Sequence, residues 1–114
     1  MLQFFLAGLG VFGAASFSPH ATLGTLLGIT SLILLILAVL SVLMGTLSRR
    51  GVTLAALLFA LMVLQWLLVE VFLTVPALVA LHPVNGLLIV TVAYALAARQ
   101  HRAQPAERRR RPRV

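Results

Sequence analysis

Four apolar runs divide the chain, and turn-forming residues separate them. The first covers about residues 1–16 and breaks at Ser16-Phe17-Ser18-Pro19. The second covers about 19–47, with Pro19 placed where a helix start tolerates a missing N–H, and closes at Ser48-Arg49-Arg50-Gly51. The third covers about 52–75 and stops at Pro76; after a connector ending in Leu81-His82-Pro83, the fourth covers about 83–98. The apolar residues form long blocks instead of alternating with polar ones, so the solvent they suit is lipid. An isolated strand leaves its backbone groups unpaired in hydrocarbon, so all four runs are predicted to be helices. The expected fold is all-α, with residues 1–98 forming a transmembrane four-helix bundle and 99–114 a basic cytoplasmic tail without fixed structure.

The polar residues add an internal repeat. A shift of 62 places Gln3 on Gln65, Leu6 on Leu68, His20 on His82 and Gly24 on Gly86. With only three His and four Gln in the chain, the polar matches carry the weight. Each unit is a helix hairpin that runs out and back. Both units start on the same side, so they form a parallel repeat about an axis along the membrane normal.

Composition and charge fix the class and the orientation. Apolar residues make up 61% and charged residues 10%, whereas a soluble domain is charged at roughly a quarter of its positions. Of the nine basic residues, all arginine, seven fall in 99–114 and the other two are Arg49 and Arg50. The loops after the first and third helices hold no Lys or Arg, so the positive-inside rule puts both termini on the cytoplasmic side. The tail then meets anionic lipid headgroups, at about 1 kcal/mol per arginine near the surface. Nucleic acid is not the expected partner, because Pro105 and Pro112 break the tail and no aromatic residue interleaves the arginines. The absence of Cys excludes disulfides, iron–sulfur clusters and covalently attached c-type haem. Arginine-only usage points to a bacterial source, and hence to the bacterial cytoplasmic (inner) membrane. The first helix lacks the basic start of a signal peptide.

The candidate chemistry lies with the repeated histidines. His20 opens the second helix and His82 the fourth, so both belong at the outer end of the bundle. A pseudo-two-fold axis would set them face to face, with Gly24 and Gly86 one turn deeper on the same helix faces. Neutral imidazoles ligate metals, and two of them hold haem iron axially. Bundles build such sites from facing helices, and glycine admits a flat ligand close to the backbone. The site expectation is therefore haem b held by His20 and His82, with Gly24 and Gly86 lining the space. The rival reading makes the histidines helix-start residues among the headgroups. Two ligands are too few for structural zinc, and no Arg or Lys stands on the outer side to pair with haem propionates. Gln3, Gln65, Glu70 and Asn85 are candidate supporting polar residues. Glu70, the one acid inside an apolar run, is a functional candidate by its setting, able to bond a histidine or relay a proton. Gln3 and Gln65 are expected to pair with each other across the hairpins. His101 is expected to be solvated, Trp66 and Tyr94 to pack or face lipid, and Met44 and Met62 to lie too far from the histidines for a copper site.

Two resemblances attach to these residues. Gln3-Phe4-Phe5-Leu6-Ala7-Gly8-Leu9-Gly10-Val11-Phe12 and Leu81-His82-Pro83-Val84-Asn85-Gly86 resemble an uncharacterised bacterial family of small four-helix membrane proteins (domain of unknown function 6220), over about residues 3–98. That likeness implies no activity. The arrangement also resembles one half of haem A synthase, whose four-helix halves carry haem-binding histidines on their second and fourth helices. His20 and His82 match those positions. The second half is lacking, and Glu70 is the one residue to set against the catalytic acid, so haem A synthesis is not implied.

The expectation is a b-type haem-binding membrane protein for electron transfer or haem handling. The alternative is a cofactor-free accessory subunit of a larger membrane complex or a homo-oligomer, and a third reading is a small transporter or quinone-binding unit using Glu70. No phosphate loop, nucleophile–base pair or metalloprotease motif is present, which argues against hydrolytic chemistry. Measured against the repeat, helix one lacks about eleven residues before Gln3, so the native start is expected upstream. Intact mass of the native protein checks that start: a mass equal to the 114-residue chain, allowing for loss or formylation of Met1, would exclude it. Reporter fusions near Arg50 and at the C-terminus should both read cytoplasmic, and an external signal at either point would overturn the topology.

Overall fold

Glycines in left-handed backbone end the first two helices of the computed structural model, which describes residues 1–46, 48–71 and 74–110, with side chains through residue 98. Helix α1 runs Leu2–Val11. Gly13 then adopts a φ of 69°, and the N–H groups of Gly13 and Ala14 bond back to the carbonyls of Gly10 and Leu9. Helix α2, Ser18–Leu43, ends the same way. Gly45 has a φ of 71°, with Gly45 and Thr46 bonded to Val42 and Ser41. This paired closure satisfies last-turn carbonyls that would otherwise be orphaned. The stop after α1 is therefore Gly13, ahead of the expected break at Ser16–Pro19.

Helix α3 runs Arg49–Glu70, behind Ser48 in an extended conformation (φ −74°, ψ 150°). The two arginines thus form its first turn instead of a loop. A single turn, α4 (Pro76–Val79), precedes α5 (Leu81–Arg110). Pro83 falls in the first turn of α5, where its missing N–H has no intrahelical partner to lose. Helix α5 does not stop at Ala98. It continues through the stretch expected to lack structure, where Ala, Gln, Glu and Arg are good helix formers. Its 30 residues reach about 45 Å at 1.5 Å each, against a hydrocarbon core of about 30 Å. Leu47, Phe72, Leu73 and tail residues 111–114 lie outside the described residues.

Every regular element among the described residues is helical. Helix α3 packs against α2 on one side and α5 on the other, and α1 packs against α2. Most of the residues buried along α2 and α3 are small. Ser31 and Ala38 are buried on α2, and Gly51, Ala55 and Leu58 on α3. Small side chains let helix backbones approach closely where lipid removes any hydrophobic drive to associate.

Burial is the inverse of a water-soluble protein. The buried apolar residues are Ala38, Ala55, Leu58 and Leu68, and the buried polar ones are Ser31 and Asn85, while Leu, Ile and Val line the outside of α2. Three helical stretches, Ser18–Leu43, Arg49–Glu70 and Pro76–Ala98, are long and apolar enough to cross a membrane. Helix α1 is a shorter apolar helix. Its ten residues reach about 15 Å and lie beside the first turns of α2: Gly10 faces the Phe17 ring, and Gln3 reaches Gly24.

Gly45 and Gly8 separate backbone strain from space. Gly45→Val places a β-branched residue at positive φ and should destabilise the fold by about 1–2 kcal/mol, read as a lower thermal midpoint in detergent. Gly8→Ala, where an added Cβ meets nothing within 4 Å, should leave the midpoint unchanged or raise it.

Candidate functional site

Residues at the starts of α1, α2 and α5 gather with Gln65 from the C-terminal part of α3. His20 lies in the first turn of α2, behind Pro19, and His82 in the first turn of α5, ahead of Pro83. The two rings lie with centroids 6.0 Å apart and planes at 61°. The expected approach of the two histidines is therefore present, and each imidazole is half-buried.

Each histidine is anchored by the glutamine 17 residues before it. His20 Nδ1 lies 3.0 Å from the Gln3 carbonyl and His82 Nδ1 3.3 Å from the Gln65 carbonyl. A carbonyl only accepts, so Nδ1 is the donor in both rings and Nε2 keeps its lone pair when the ring is neutral. The glutamines do not pair with each other, as the sequence suggested. Gln3 Nε2 donates to the His20 carbonyl at 2.9 Å, and Gln65 Nε2 lies 3.0 Å from His82 Nε2. A histidine next to its own hairpin's glutamine offers a nearer partner than the second glutamine does.

Asn85 sets the polarity of the second cluster. Its Nδ2 donates to the Leu61 carbonyl at 2.9 Å and to Gln65 Oε1 at 2.6 Å. The Leu61 carbonyl fixes which end of the Asn85 amide is NH2. Gln65 must then present its oxygen to Asn85 and its NH2 to His82. The chain of bonds therefore runs one way, from Asn85 through Gln65 to His82 Nε2. Two acceptors in this region, Gln3 Oε1 and Asn85 Oδ1, are buried without a partner. Each calls for a donor such as an ordered water.

The glycines receive protein side chains. A Cβ at Gly24 would sit 3.1 Å from Gln3 Nε2, and one at Gly86 would sit 3.3 Å from the Phe4 ring and 3.7 Å from Gln65 Nε2. Glu70 closes α3 and is exposed, and none of the described hydrogen bonds joins it to a histidine. Trp66 and Tyr94 are exposed. Among the described residues no group of three or more His, Cys, Asp or Glu gathers for a metal ion. The side chains of His101 and the tail arginines lie outside the described residues.

Sequence reasoning did not find the Leu61 carbonyl or the seat of Phe4 on Gly86. Asn85 carried a usable signal, being one helical turn beyond His82 and on its face, where the first hairpin has Leu23.

Among known proteins, no curated protein matches the chain and no solved structure does. The likeness to one half of haem A synthase thus has no support from these comparisons. A family match covers residues 3–74 and stops short of the Leu81–Gly86 string. That span is well over half of the 114 residues, and the chain belongs to the family of unknown function (DUF6220).

Proposed function

We propose that this is a small integral membrane protein of the bacterial inner membrane that binds b-type haem between His20 and His82, for electron transfer or haem handling. The observation that carries the reading is the ring pair. Two neutral imidazoles brought close together would offer a pair of nitrogen ligands to one metal. The rings lie at 6.0 Å. Both donate Nδ1–H to a backbone carbonyl, the second bond that orients a ligating histidine and raises its basicity. Haem would supply a one-electron couple. His20 and His82 would hold the group, while Gln3 and Gln65 orient the two rings through their carbonyls.

The arginines set the orientation. Arg49, Arg50 and the tail face the cytoplasm, and the histidines lie toward the outer side. The two hairpins form a parallel repeat, supported by the same Nδ1-to-carbonyl bond over the same 17-residue interval in each. The tail meets anionic lipid headgroups.

A second reading is favoured by a separate observation. The faces of Gly24 and Gly86 are occupied by Gln3 and Phe4, and His82 Nε2 already faces an amide. On that reading the cluster is a cofactor-free polar clasp in an accessory subunit of a larger membrane complex. The absorption spectrum separates the two. Protein expressed with ample haem and purified in detergent should show a low-spin haem spectrum, lost in both His20→Ala and His82→Ala. A colourless wild-type protein that also takes up no haem when titrated would overturn the haem reading.

A further inference from the structure

The repeat makes the two histidines formally equivalent, yet their hydrogen bonds differ. His82 is bonded at both nitrogens, through Nδ1 to the Gln65 carbonyl and through Nε2 to the Gln65 amide. His20 is bonded through Nδ1 to the Gln3 carbonyl, and none of the described hydrogen bonds reaches its Nε2. The difference traces to one position. Asn85 is nine-tenths buried or more, at 4% exposure, and grips both the Leu61 carbonyl and Gln65 Oε1. That grip turns the Gln65 NH2 onto His82. The matching residue in the first hairpin is Leu23, which has no amide to offer, and there the Gln3 NH2 turns to the His20 backbone carbonyl.

We propose that Asn85 is a positioning residue that latches the Gln65 amide over the His82 Nε2 lone pair, leaving His20 Nε2 as the first point of attachment for any metal or electrophile entering the site. The proposal deepens the haem reading by ordering the two ligands. His20 Nε2 is open to a ligand as the structure stands, and His82 Nε2 would open only when Gln65 swings away. The order follows from hydrogen-bond direction. A donor on Nε2 occupies the orbital that a metal needs, and Asn85 adds a second bond that Gln65 must break before it can leave. The geometry that produces it does not depend on haem being the ligand.

Carbethoxylation tests the latch with no haem present. Diethyl pyrocarbonate transfers an ethoxycarbonyl group to the lone pair of a neutral imidazole, with the Nδ1 proton lost and ethanol and carbon dioxide released. Full-length protein in detergent is treated for short times, and the label on each histidine is followed by peptide mass spectrometry. In the wild type His20 should label about fivefold or more faster than His82, the factor that one net hydrogen bond supplies. Asn85→Leu recreates the first hairpin's residue, and Gln65→Ala removes the amide while keeping the backbone carbonyl. Both should speed labelling of His82 toward the His20 rate and leave His20 unchanged. A purely structural role for Asn85 would speed both histidines together. Equal rates in the wild type, or a His82 rate unmoved in both variants, would overturn the latch. The wild-type ratio stands as a test even if a variant fails to fold. A colourless protein with unequal labelling would sink the haem reading and leave the latch standing, and a red protein with equal labelling would do the reverse.

Discussion

An imidazole N–H or an amide NH2 placed among hydrocarbon must find an acceptor, because leaving it bare forfeits the full cost of its desolvation. That requirement organises the histidine end of this molecule. Side-chain hydrogen bonds between α1 and α2, and between α3 and α5, converge on Gln3, His20, Gln65, His82 and Asn85. Where lipid is the solvent it supplies no hydrophobic drive for helices to associate, so register falls to hydrogen bonds and close packing. The glutamine–histidine bonds fix how each helix starts against the one before it. The small residues along α2 and α3 then bring the central pair together over the rest of their length.

The same requirement limits what the histidines can do. With each Nδ1–H committed to a carbonyl, the chemistry left to the pair is that of the Nε2 lone pairs. A lone pair in an apolar setting attracts a Lewis acid or a donor. The buried oxygens of Gln3 and Asn85 have the same character, so the cluster as a whole is rich in acceptors. Such an environment suits a cation, a coordinated metal or ordered water better than an anion.

Much of this was legible in the sequence, and the residues show why. Apolar blocks between turn residues located the long helices, because a helix in lipid has to be apolar over its whole length. Rare polar residues recurring at one interval brought His20 and His82 together, because a glutamine or histidine in such a chain is expensive to keep. Helix ends were read less well: Gly13 and Gly45 act through backbone φ, and the eye was drawn instead to Pro19 and Arg49. The Gln3–Gln65 pairing failed because likeness in sequence does not mean contact. Repeated residues occupy equivalent places, and equivalent places need not touch. The role of Asn85 depends on the carbonyl of Leu61, and no sequence pattern marks a backbone atom.

The hydroxyl groups along the helices have a consequence of their own. Thr25, Thr30, Ser41, Thr53 and Thr91 each donate to the carbonyl four residues earlier in the same helix, and Ser31 to the one three residues earlier. None of these hydroxyl protons is left to reach sideways. These hydroxyls therefore offer a neighbour acceptor oxygens and no free donor. Among the described residues, side-chain hydrogen bonds from one helix to another gather at the histidine cluster, and the hydroxyls along the flanks are spent within their own helices.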